Sequence, residues 1–197
     1  MSLYPSVKFL TSAAEPHQLI ADAGREVAFA GRSNAGKSTA INALTERSAL
    51  ARVSRTPGRT QLINFFEIGT DQRLVDLPGY GFAKVPDSVR RNWLALMRHY
   101  FDVRESLVGL MLIVDSRRGL GEQDVGMLEW VLARGRQAHV LLTKADKLNR
   151  RESQAVLRET LSACGDSSVS AQLFSAHAKL GFEEARGVMN RWLGRGA

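Results

Sequence analysis

The stretch EVAFAGRSNAGKSTAINALTE, residues 26–46, decides the fold. Residues 26–30 form a short apolar run, residues 38–46 follow a helical pattern, and between them stands Gly31-Arg32-Ser33-Asn34-Ala35-Gly36-Lys37-Ser38. That loop matches G-x-x-x-x-G-K-[ST] in the strand-to-helix setting that gives the pattern its meaning. Gly31 and Gly36 let backbone N–H groups turn inward around a β-phosphate. Lys37 neutralises β- and γ-oxygens, Ser38 offers a hydroxyl to Mg2+, and the helix N-terminus adds its dipole. All eight residues are candidates for contact with a nucleotide, although the loop alone does not separate ATP from GTP.

Outward from this loop the chain alternates strand and helix patterns. Residues 61–68, 73–76, 107–114, 139–142 and 169–174 read as strands; residues 87–100, 122–133, 151–164 and 182–193 read as helices. Residues 107–114 and 139–142 are almost continuously apolar, as parallel strands buried on both faces are. In residues 87–100, Val89, Trp93, Leu96, Met97 and Tyr100 fall on one helical face. The expectation is an α/β protein of three layers: a mostly parallel six-stranded sheet with helices on both faces. Residues 25–197 are expected to form one domain, and residues 1–24 an N-terminal extension packed on it.

Composition narrows the class. The 197 residues include a single cysteine, Cys164, which cannot form an internal disulfide and suits a reducing cytoplasm. No apolar run reaches the ~18 residues of a membrane span, and the four histidines show no metal-ligand spacing. The formal net charge is +7, and 21 of the 27 basic residues are arginine. Arginine's planar fork suits phosphate, but without a located patch composition leaves a polyanionic partner and a merely solvated basic surface near even.

Four further elements complete a nucleotide site. Asp76-Leu77-Pro78-Gly79 ends the third strand, where a carboxylate can hold the water shell of Mg2+ and the Gly79 N–H can reach a γ-phosphate. Thr143-Lys144-Ala145-Asp146 closes the strand at residues 139–142. The Asp146 carboxylate can accept from both N1–H and N2–H2 of guanine, and adenine would leave that acceptor unpaired. Lys144 can cover the base plane, and Ser175-Ala176, preceded by Phe174, fits the loop whose backbone N–H meets guanine O6. The loop at residues 51–60 (ARVSRTPGRT) holds two threonines able to supply a second Mg2+ hydroxyl, Thr56 and Thr60. Thr60 is preferred because it directly precedes the second strand; Gly58, Arg59, Gln61 and Leu62 are expected to line the nucleotide beside it. This loop and residues 79–87 (GYGFAKVPD) are candidate switches, with Arg52, Arg55, Arg59 and Lys84 as their cations.

GRSNAGKS, TPGRTQLINFFEI, DLPGYGFA and TKADKL, together with the opening VKFLTSA, resemble the EngB (YihA/YsxC) family of bacterial GTPases, in the TrmE-Era-EngA-EngB branch, nearly end to end. The resemblance implies a P-loop GTPase (G domain) fold, GTP and GDP as ligands, and slow hydrolysis using Lys37, Thr60, Gly79 and Asn34. It also implies Mg2+ on Ser38, Thr60 and, through water, Asp76, and association with the large ribosomal subunit and its rRNA during assembly. A link to cell division and septation follows in the same way; a cytoplasmic location, no membrane association and a monomeric state are also expected. Asn34 stands where cation-dependent relatives hold potassium, and Tyr80 stands where many GTPases place a water-orienting Gln. A phenol does not orient water as an amide does, so a nucleotide-gated binding module with incidental hydrolysis is the alternative reading.

Overall fold

The longest apolar strand pattern in the chain becomes an interior strand of the sheet. The computed structural model describes residues 4–51, 62–81, 86–165 and 167–195. Its strands are β1 (Lys8–Ala13), β2 (Arg25–Gly31), β3 (Ile63–Gly69), β4 (Gln72–Asp76), β5 (Leu107–Asp115), β6 (Gln137–Thr143) and β7 (Val169–Leu173), joined in one sheet of order β1-β3-β4-β2-β5-β6-β7. The contacts β4–β2–β5–β6–β7 are all parallel, and β3 runs antiparallel to both its neighbours.

Seven strands correct the expected six. The additional one, β1, comes from the segment expected to be an extension, and it pairs with β3 from Lys8↔Glu67 to Ala13↔Ile63. Its burial pattern explains why the sequence hides it: Lys8, Phe9 and Leu10 are exposed and only Ala13 is buried. An edge strand with no fully buried face shows no clear period-two alternation.

The helices are α1 (Lys37–Thr45), α2 (Asp87–Val103), α3 (Glu122–Leu132), α4 (Arg150–Cys164) and α5 (Phe182–Leu193). Alternation along β2 divides them into two layers. Ala28 and Ala30 face the core shared with Leu96, Met97 and Tyr100 of α2, Met127 and Val131 of α3, and Val156 of α4. Val27 and Phe29 face Ile41 and Leu44 of α1 and Met189 and Trp192 of α5. Each fully buried Leu, Ile or Phe contributes about 1.5–3 kcal/mol. Gly109 of β5 is required by this packing, since a Cβ there would stand 2.5 Å from Trp192 Cε3. No helix among the described residues is long and apolar enough to cross a membrane.

At the base of β2 lies a buried ionic cluster. Glu26, fully buried, accepts from Arg104 Nε (2.9 Å) and Nη2 (2.7 Å), Arg73 Nη1 (3.2 Å) and the Tyr100 hydroxyl (3.3 Å). Arg104 also donates to the Ile20 carbonyl (2.7 Å), and Asp22 accepts from the N–H groups of Glu105 (2.8 Å) and Ser106 (2.9 Å). Residues 20–22 are thereby fastened to the foot of the sheet. The parallel strands all end at the opposite edge, where ligands bind in open α/β sheets.

Candidate nucleotide-binding site

Gly31 ends β2 against β5, and a Cβ on it would stand 2.5 Å from the Ile113 carbonyl oxygen. The loop then turns through Asn34 (φ 64°) and Gly36 (φ 103°), and α1 begins at Lys37 with Gly36 as its N-cap. Asn tolerates this left-handed conformation better than most residues and Gly adopts it freely. The Ala35 N–H donates to the Arg32 carbonyl (3.0 Å), and the Ser33 N–H to the Tyr80 carbonyl (2.8 Å). The phosphate loop is thus hydrogen-bonded to the segment that follows Asp76-Leu77-Pro78-Gly79.

Asp76 closes β4, almost buried, and its Oδ1 pairs with Lys37 Nζ. Ser38 follows in the first turn of α1. A hydroxyl and one carboxylate are hard oxygen donors that suit Mg2+. Among the described residues no three His, Cys, Asp or Glu side chains gather into a metal-binding group. Such a donor set matches an ion held mostly by phosphates and water.

The second motif reaches back to the first. The Thr143 hydroxyl, buried at the end of β6, donates to the Ala35 carbonyl (2.5 Å), with the Val114 carbonyl at 3.1 Å. Thr143 therefore supports the phosphate loop from below. Lys144, at φ 58°, donates from Nζ to the Asn34 carbonyl (2.7 Å) and to Asp115 Oδ2 (2.8 Å). Ala145–Lys147 form a 3-10 turn. In that turn Asp146 Oδ1 accepts from the Ser175 hydroxyl (2.6 Å), while Lys147 Nζ lies 3.4 Å from Oδ2. The Ser175 oxygen in turn accepts from the Ala178 N–H (3.0 Å), which aims its proton at Asp146. The hydrogen bond from Ser175 to Asp146, above all, lowers the Asp146 pKa. Phe174 contributes backbone alone: its ring is buried and stacked on Phe182 (5.2 Å), while the Ala145 N–H donates to its carbonyl (3.2 Å).

Two features escaped the sequence reading. Asp115, at the end of β5, accepts from Arg117 Nε (2.9 Å) and Nη2 (2.6 Å) as well as from Lys144. The Arg117 guanidinium holds its carboxyl far below the usual carboxylate range. The available signal was a strand-terminal aspartate at the ligand edge. The second feature is the direction of Tyr80. Its side chain is 4% exposed, its hydroxyl donates to buried Asp124 Oδ1 (2.6 Å), and its ring tilts against Trp93 (6.1 Å). Burial, and then the Asp124 carboxylate, push the phenol far above its ordinary pKa. Asp124 Oδ2 also accepts from the Gly121 N–H (2.8 Å), so Tyr80 is a tie to the start of α3. Gly58, Arg59, Thr60 and Gln61, with Arg52, Arg55, Thr56 and Lys84, lie outside the described residues. Leu62 is half-buried just before β3, and Ala176 half-buried after β7.

A family model described as 50S ribosome-binding GTPase matches residues 26–144. The probable GTP-binding protein EngB of Aromatoleum aromaticum is 50% identical over 197 residues, covering 98% of this chain and 91% of that protein. The protein of the same description from Stenotrophomonas maltophilia is 52% identical, covering 98% of each. Among solved structures, a probable GTP-binding protein engB superposes with a TM-score of 0.66 at 26% identity, covering 86% of this chain and 98% of that one. Era bound to MgGDPNP and 16S ribosomal RNA gives 0.65 at 16% identity, covering 90% of this chain and 59% of that one, a likeness of fold alone.

Proposed function

Because this chain belongs to the EngB family of GTP-binding proteins, GTPases of the P-loop class, we propose that it is a nucleotide switch in assembly of the large ribosomal subunit, and through that assembly serves normal division and septation. The observation that carries the reading is Lys144, whose ammonium joins the Asn34 carbonyl of the phosphate loop to Asp115. One side chain thereby fixes the spacing between the phosphate cradle and the guanine acceptor Asp146.

In this reading Asp146 accepts from guanine N1–H and N2–H2, and the Ala176 region meets O6. Lys37 exchanges its partner Asp76 for phosphate oxygens, and the Gly79 N–H reaches the γ-phosphate. Ser38, Thr60 and, through water, Asp76 would hold Mg2+, which when bound would supply positive charge to the phosphates. Asn34, exposed at the rim of the loop, is the residue for a potassium ion. Hydrolysis is slow, because Tyr80 is packed against Asp124 and offers no water-orienting group. The same packing favours the second reading, a nucleotide-gated binding module whose hydrolysis is incidental. The net charge of +7 and the match to a family of 50S ribosome-binding GTPases support an RNA-rich partner. We take the protein to act as a monomer in the cytoplasm.

Co-sedimentation with ribosomal subunits in GDP and in a non-hydrolysable GTP analogue tests the switch. Tighter association with the large subunit is expected in the analogue, weakening steeply with salt and weaker in Arg52, Arg55 and Arg59→Ala combined. Equal association in both nucleotides refutes it. Turnover that rises on subunits decides for the switch over the binding module.

A further inference from the structure

The sheet has a second polar concavity at the edge where its parallel strands begin, a cleft of about 640 Å³. Arg25 opens β2, Arg136 and Gln137 stand at the start of β6, Arg191 projects from α5, and Glu105 precedes β5; all five line the cleft. Strand β2 spans seven residues from Arg25 to Gly31. At roughly 3.3 Å per residue the cleft lies about 20 Å from the phosphate loop.

Its donors are held in place by the protein. Arg25 Nε donates to the Trp192 carbonyl (2.6 Å), which anchors the guanidinium at the wall. Arg136 Nη2 donates to the Arg104 carbonyl (3.2 Å). The Gln137 Oε1 accepts from Trp192 Nε1 (2.7 Å), which leaves its NH2 as a donor at an exposed position. Glu105 is the counter-charge, 3.4 Å from Arg136 and 84% exposed, so its carboxylate can swing into water. Three guanidinium groups around one concavity repel each other, and a low-dielectric wall focuses their field on whatever enters.

We propose that this cleft binds the phosphodiester backbone of RNA, as a surface separate from the nucleotide site. Arginine forks and a neutral amide are the groups that position proteins on phosphate and sugar, and they carry no base preference. The cleft is open and polar where small-molecule sites are enclosed and mostly apolar. The identity of the polyanion rests on the reading that the partner is an RNA-rich particle; the cleft's anion affinity does not. Binding here leaves the strand ends at the other edge free for GTP, so RNA and nucleotide are held together.

The test is anisotropy of a fluorescein-labelled 20-nucleotide single-stranded RNA with the full-length protein across a salt series. Arg136→Glu combined with Arg191→Glu should weaken binding at least about tenfold at low salt and flatten the salt slope by about 1.4, the value for two lost single-strand contacts. Arg136→Ala with Arg191→Ala, which adds no carboxylate, should show the same slope change with a smaller loss of affinity. Glu105→Gln should tighten binding about twofold, the gain from removing one exposed opposing charge. GTP affinity and melting temperature should be unchanged in all three. Wild-type affinity in both double variants overturns the proposal, as does an equal loss in Arg150→Glu with Arg151→Glu. Polyglutamate competing as well as RNA at equal charge would make the occupant an acidic protein and overturn it too. Equal subunit association in GDP and GTP analogue, with naked RNA still lost in the cleft variants, refutes the switch and leaves the cleft standing.

Discussion

Asp146→Asn tests the geometry of guanine recognition most directly. The Ser175 hydroxyl, its own oxygen engaged by the Ala178 N–H, points its proton at Asp146 Oδ1 from 2.6 Å. In the variant that proton would claim the single amide oxygen, and the new NH2 would face the two donors of guanine. Two charge-assisted hydrogen bonds at about 1.5–3 kcal/mol each are lost. The sum, roughly 3–6 kcal/mol, is about 10²–10⁴-fold in GTP affinity. Xanthosine triphosphate, with a carbonyl at the 2-position, should recover affinity in the variant. Calorimetric titration with both nucleotides measures the exchange, and a GTP loss under about threefold would refute the reasoning. A pH arm isolates Ser175. Because the folded pKa of Asp146 is depressed, with the Ser175 hydrogen bond as the leading cause, the carboxylate's contribution is complete above the ordinary aspartate value. It is lost as pH falls through the folded pKa. Ser175→Ala should move that acid limb of the GTP-affinity profile upward, and an unmoved limb would detach Ser175 from the site.

Tyr80→Phe removes a donor from buried Asp124 and should cost about 1–3 kcal/mol in denaturant unfolding while leaving single-turnover hydrolysis unchanged; a selective loss of hydrolysis would instead put the phenol in the chemistry. Arg104→Met removes the two shortest donors to buried Glu26, leaving only Arg73 and Tyr100 at 3.2 and 3.3 Å, and should cost about 3–5 kcal/mol, a fall in Tm of roughly 6–20 °C for a domain of this size; a fall under about 3 °C would mean that Arg73 and water suffice for Glu26. Intrinsic hydrolysis in sodium buffer should stay below ~1 s⁻¹, and a faster rate without a partner contradicts the role given to Tyr80. Potassium should accelerate the wild type and not Asn34→Ala at equal ionic strength, whereas identical rates in both salts would leave Asn34 as a residue chosen for its left-handed backbone.

What the sequence disclosed and what it hid divide along the range of the forces involved. The phosphate loop was legible because its backbone requirement is local: Gly36 at φ 103° and the helix opening at Lys37 are spelled in consecutive residues. Strands β5 and β6 were legible because burial on both faces leaves only apolar choices. Strand β1 was not, since its place depends on β3, whose Glu67 meets Lys8 in an ion pair of 2.8 Å. Asp115 gains its meaning only from Lys144 and Arg117, and a lone aspartate announces neither. Tyr80 was found at the expected step after Gly79, but its direction is set by Asp124, 44 residues on.

The Tyr4 hydroxyl donates to Asn190 Oδ1 (2.7 Å) across a sequence separation of 186, and the Arg195 guanidinium lies over the Tyr4 ring (5.1 Å). As the chain emerges during synthesis, Tyr4 therefore waits through that whole separation before its partner exists. Local β–α units can form while translation continues, but the clasp between Tyr4 and α5 closes only once α5 has been made. Contacts of such long separation make the final folding step slow relative to helix formation. The residues of the phosphate loop are thus made long before Thr143, Lys144 and α5, the partners that hold the loop and seal the fold around it.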